Sequence, residues 1–188
     1  MIRFTSKKNP LHIDKYFPSG GISRATAHGV RRTRVIQSQW TSPRRYPAHL
    51  EFLEKHRQEI RAFADIGPGN FVGAPTTYEA KAALGPGSVV HAVDVKKLNT
   101  GIAAIFAGDN NLKVDDITPL LHSISRKPLP LQCDAIRLAN VTNWISKAER
   151  DNALQNVWKS LRLGGYLLGA YAGREFVFRK TSEGFEIL

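Results

Sequence analysis

The stretch Ala62-Phe63-Ala64-Asp65-Ile66-Gly67-Pro68-Gly69-Asn70-Phe71-Val72-Gly73 reads as a short buried strand that ends near a carboxylate and runs into a glycine-rich turn. Glycines in that place let the backbone approach a ligand at the carboxyl end of a strand, where open α/β sheets bind their ligands. A dinucleotide fingerprint needs a third glycine where Val72 stands, and a phosphate loop needs a Gly-Lys-Ser/Thr run that is absent here. Asp65, set just before the glycines, would repel a pyrophosphate and attract an ammonium or a sulfonium. A cationic ligand is the expectation.

Downstream, short β-like runs alternate with helical stretches, the pattern of βαβ units and a parallel sheet. The sequence predicts a helix over 76–84 closed by Gly85-Pro86-Gly87, a second strand over 89–93, a helix over 97–106, a short third strand over 112–114 and a fourth over 135–138. The next helix is the best marked. Ser146 and Glu149 make a capping box, Leu154, Val157, Trp158 and Leu161 form an apolar stripe, and Gly164-Gly165 supplies a left-handed stop. A fifth strand over 166–170 follows, and residues 175–180 and 185–188 around a Ser182-Glu183-Gly184 turn predict a terminal hairpin. Upstream, Ser42-Pro43 precedes a surface helix expected over 47–61 as a lid on the domain. Before it, Pro10, Pro18, Gly20, Gly21 and Gly29 punctuate an irregular arm without a core of its own. The expected organisation is a basic arm over residues 1–41 and one α/β domain over 42–188.

With 188 residues, 42% apolar and 23% charged, the chain suits one globular core, and it holds no eighteen-residue uncharged apolar run to span a membrane. Cys133 is the sole cysteine, which excludes a disulfide framework and makes a reducing compartment, the cytoplasm, the expectation. The net charge of +11 is lopsided: residues 1–60 carry twelve Lys or Arg against four Asp or Glu. This predicts a polyanionic partner for the arm, RNA ahead of an acidic protein surface. An Arg-rich, acid-poor start also fits an organelle transit peptide, though the prolines and the Gly20-Gly21 pair break a continuous amphipathic helix. The six histidines show no metal-ligand spacing, and no Gly-x-Ser-x-Gly elbow occurs.

Five segments in order resemble the class I S-adenosylmethionine-dependent methyltransferases over roughly residues 60–188: Asp65-x-Gly67-x-Gly69, the strand ending at Asp94, Leu112 to Asp116, Asp134 to Asn140, and Leu161 to Leu168. The resemblance implies a doubly wound, mostly parallel seven-stranded Rossmann-like sheet with a C-terminal antiparallel hairpin, and S-adenosyl-L-methionine as cofactor. It implies that Asp65 and the backbone of Gly67 and Gly69 face the methionine moiety, and that Asp94 accepts from the ribose hydroxyls. Asp116, in preference to Asp115, would meet the adenine amino group. Asn140 would lie under the transferable methyl, with Trp144 lining the same pocket. The stretch Asn140 to Ser146, with Gly164-Gly165-Tyr166, is similar more narrowly to the chemotaxis receptor glutamate methyltransferases. The activity implied is methyl transfer to a protein or RNA acceptor. The alternative is the same fold kept without turnover as an RNA-binding or structural component. Phe71 replaces the usual small residue, Pro68 stiffens the loop, and the helix before the last hairpin has shrunk to a turn at Gly173.

Overall fold

The computed structural model describes residues 13–19, 42–171 and 173–188, so most of the expected arm, with its cationic surplus, lies outside the described residues. The strands are β1 (Ala62–Ile66), β2 (Val89–Asp94), β3 (Thr118–Leu121), β4 (Cys133–Ala139), β5 (Leu161–Tyr171), β6 (Arg174–Lys180) and β7 (Phe185–Ile187). They form one sheet in the order β3-β2-β1-β4-β5-β6-β7. The first five run parallel to their neighbours, whereas β6 is antiparallel to β5 and β7 to β6. This is the seven-stranded sheet with a C-terminal antiparallel hairpin that the sequence resemblance implies.

Helices α1 (Pro47–Lys55), α2 (Pro75–Leu84), α3 (Thr100–Asp109) and α4 (Lys147–Ser160) cover both faces of the sheet. Alternation along the strands sorts the side chains between the faces. Phe63, Val90, Ala92, Ala135 and Leu168 pack with Leu53, Tyr78 and Ala103 of α1 to α3. On the other face, Ile66, Ile136, Leu138 and Leu167 meet Leu154 and Val157 of α4. Ile13 and Phe17, expected in an arm without a core, are buried on that second face. A Cβ at Gly169 would stand 2.5 Å from Phe17 Cζ, so the glycine in β5 makes the room that Phe17 fills. Among the described residues no helix is long and apolar enough to cross a membrane.

The capping box at α4 forms as expected: Ser146 Oγ accepts from the Glu149 amide at 3.3 Å, and Glu149 Oε2 from the Ser146 amide at 2.9 Å. Its exit differs from expectation. The helix ends at Ser160 and passes straight into β5, and Gly164 (φ +82°) lies inside that strand. β4 and β5 shift register between Cys133 and Ala135. The third strand also moves, from the expected 112–114 to Thr118–Leu121, while Val114–Asp116 is a 3-10 turn with Asp116 accepting from the Lys113 amide at 2.7 Å. Pro119 argues against a strand in sequence, but β3 is a sheet edge, where a missing N–H is tolerated.

Helix α1 stops at Lys55, short of the expected 61, and has no side-chain cap of its own. Glu175 of β6 supplies one, its Oε1 accepting from the Ala48 amide (3.2 Å) and its Oε2 from the His49 amide (2.7 Å). Glu175 Oε2 also lies 3.6 Å from His49 Nδ1, a contact that is an ion pair only when the imidazole carries a proton. His49 is fully buried, with Nε2 against the carbonyls of Gly169 (3.0 Å) and Phe176 (3.3 Å). Burial, helped by the charge of Arg137, pushes its pKa down to about 4. Below about pH 6.5 the unfolded chain takes up a proton that the folded chain refuses until about pH 4. Stability therefore falls as pH drops through that window, by about 3 kcal/mol in all. His49→Gln should flatten this part of the pH dependence in chemical denaturation. Parallel curves for the two proteins would refute the assignment.

Candidate functional site

The carboxyl ends of β1 to β4 open on a cavity of about 270 Å³. It sits where β1 is flanked by β2 on one side and β4 on the other. At this switch point successive connections leave in opposite directions and their loops part to form a crevice.

The turn after β1 forms one wall. Gly67 (φ +65°) and Gly69 (φ +78°) both line the cavity in left-handed conformation. A Cβ at Gly67 would stand 2.7 Å from Val141 Cγ2, so backbone and neighbour alike require glycine there. Asp94, ending β2, also lines the cavity. Its carboxylate ties the turn down, Oδ2 accepting from the Asn70 amide (3.2 Å) and Oδ1 from the Lys96 amide (3.0 Å). A carboxylate has about four acceptor sites, so Asp94 keeps capacity for two more donors. Phe71 stands at the mouth, with Lys96 Nζ 4.6 Å from its ring centroid.

Asn140 and Trp144 line the opposite wall. Asn140 adopts φ +57°, donates its amide to the Ala170 carbonyl (3.1 Å) and donates Nδ2 to the Tyr46 hydroxyl (3.1 Å). Tyr46 is a wall residue that the sequence reading missed, and burial pushes its pKa up.

Three of the expected acids lie elsewhere. Asp65 is 2% exposed on the α2 face of the sheet and lines no part of the cavity. Its register partner on β4, Arg137, clamps it through Nε (2.9 Å) and a close Nη2 contact, and the hydroxyls of Thr76 (3.1 Å) and Thr77 (2.8 Å) complete the shell. Arg137 also donates to the Thr76 carbonyl (2.8 Å) beneath the Tyr46 ring, whose centroid lies 5.2 Å from its guanidinium carbon. Asp115 and Asp116 precede β3 instead of following it, and so stand at the far end of the sheet from the cavity. The loop leaving β3 brings His122, Ser123, Ile124 and Ser125 to the wall in their place, with the two serine hydroxyls 3.1 Å apart.

Arg137 had a signal in sequence: a charge inside the run Ala135-Ile136-Arg137-Leu138-Ala139, in a central strand, demands a buried partner. Cys133 is buried core, its thiol pushed up to about 12 by burial and by Asp134. Among the described residues no group of three or more His, Cys, Asp or Glu is placed to hold a metal ion.

No family model and no curated protein matches the chain. Among solved structures it is similar to a SAM-dependent O-methyltransferase from Thermotoga maritima at 17% identity and TM-score 0.49, over 71% of this chain and 47% of that one. It is similar also to the N-methyltransferase NodS from Bradyrhizobium japonicum in complex with S-adenosyl-L-homocysteine, at 18% identity and TM-score 0.47, over 68% and 62% of the two chains. A third is PKMT2 from Rickettsia typhi in complex with AdoHcy, at 22% identity and TM-score 0.47, over 66% and 24%. The solved structures it resembles include O- and N-methyltransferases. The chain spans about half the length of the first of these, 47% to 62%.

Proposed function

We propose that this domain binds S-adenosyl-L-methionine in the switch-point cavity and transfers its methyl group to an RNA or protein acceptor, with RNA favoured by charge. The observation that carries the reading is Asp94: a carboxylate with unused acceptor capacity, ending β2 beside a glycine turn. Two neighbouring ribose hydroxyls are the donors that such a group suits. Val93 and Ile124 give the base apolar walls, and the hydroxyls of Ser123 and Ser125 give it a polar edge in place of Asp115 and Asp116.

The cofactor supplies a methyl group already activated on a sulfonium, so the chain's task is alignment and exclusion of water. Gly67 and Gly69 bring backbone close to the ligand. Asn140 and Tyr46 stand at the end of β4, on the acceptor side in this reading. Because burial raises its pKa, Tyr46 stays a neutral hydroxyl that orients an acceptor instead of taking its proton. Arg45 and Lys96 line the cavity together with Phe71 and the exposed Trp144, and Lys96 lies over the Phe71 ring; cations and aromatic faces in one wall suit phosphates and a stacked base. The cationic residues of 1–41 would extend this contact to a longer polyanion.

The withdrawal of Asp65 favours a second reading, in which the fold holds a nucleoside without turnover as part of an RNA-binding or structural assembly. Incubation with methyl-tritiated cofactor and fractionated RNA and protein tests the choice. Label in RNA is the expected result. Base-labile label in protein would redirect the reading to carboxyl methylation of the chemotaxis type. Cofactor binding with no labelled acceptor would support the second reading, and no binding of S-adenosylhomocysteine at millimolar concentration would end both.

A further inference from the structure

We infer that this cavity recognises its ligand through the nucleoside half alone and gains little from an amino-acid tail. This deepens the reading above and rests on it. An amino-acid tail carries an ammonium and a carboxylate, and the ammonium on leaving water is best met by an anionic partner with lone pairs to spare. Among the described residues Asp94 is the one carboxylate on the cavity wall, and the proposed reading engages it with the ribose.

Asp65, the acid that would meet the tail, is already paired and lines no part of the cavity. Its Oδ1 accepts from Arg137 Nε, and its Oδ2 accepts from Arg137 Nη2, Thr76 Oγ1 and Thr77 Oγ1. Four donors engage the carboxylate, three of them on Oδ2, and the guanidinium balances its charge. Lys96 on the wall lies over the Phe71 ring, 4.6 Å from its centroid, and would meet only the tail's carboxylate, so the ammonium still lacks an acid. Size agrees: about 270 Å³ falls just short of the roughly 300–1,000 Å³ typical of pockets for drug-sized ligands, yet suits a nucleoside.

Isothermal titration of the full chain with S-adenosylhomocysteine and with 5′-methylthioadenosine tests this directly. The two share the adenosyl thioether and differ in the amino-acid tail. Their dissociation constants are expected to agree within about tenfold, less than one charge-assisted hydrogen bond would separate them. S-adenosylhomocysteine binding more than about tenfold tighter would overturn this inference and leave the proposed function standing. Failure of both to bind would overturn the two together.

Discussion

Arg137→Met is expected to destabilise the fold by about 3–5 kcal/mol, the usual cost of removing one partner of a buried ion pair. For a chain of this size that lowers the melting temperature by roughly 6–20 °C. The cause lies less in the interaction lost than in what remains: a carboxylate at Asp65, 2% exposed between β2 and β4, with two hydroxyls and no countercharge. The double variant Asp65→Asn/Arg137→Met separates these terms. It buries no charge, and an asparagine can still accept from Thr76 and Thr77, so most of the lost stability should return. Thermal unfolding followed by circular dichroism reads both proteins. A single variant melting within about 2 °C of the parent would show that the pair does not hold the sheet's centre.

That pair also marks the limit of what the sequence disclosed about the site. The turn after β1 was legible because strand, glycines and left-handed geometry are local properties, and Gly67 and Gly69 stand at the cavity as read. The capping box at Ser146 and Glu149 was legible for the same reason. Asp65 was not, because what a strand side chain meets on its face depends on the neighbouring strand: Arg137 lies 72 positions away in sequence. Asp115 and Asp116 failed through placement of one strand. Leu112-Lys113-Val114 has β-forming residues but turns on the Asp116 carboxylate, whereas the strand itself carries Pro119, which only an edge accepts. Once β3 shifts along the chain, its outgoing loop delivers Ser123 and Ser125 to the wall and leaves both acids behind. Tyr46 could not be read at all, since it reaches Asn140 across 94 positions from the entrance of α1.

Asp94→Ala is expected to weaken binding of S-adenosylhomocysteine by roughly 100-fold. A hydrogen bond to a charged group contributes about 1.5–3 kcal/mol, so losing two acceptors for the ribose, partly offset by water, removes about 3 kcal/mol of binding free energy. Asp94 also ties down the amides of Asn70 and Lys96, so some of the loss could come from a loosened turn. Asp94→Asn distinguishes the two: its Oδ1 can still hold the Lys96 amide, while the charge and one acceptor are gone. Near-parental melting of Asp94→Asn with a binding loss above about tenfold assigns the effect to the ligand. Titration with 5′-methylthioadenosine then locates it. A carboxylate acting on the ribose penalises both ligands alike. A loss confined to S-adenosylhomocysteine would place Asp94 against the amino-acid tail, and a change under about fivefold in both would remove it from the site.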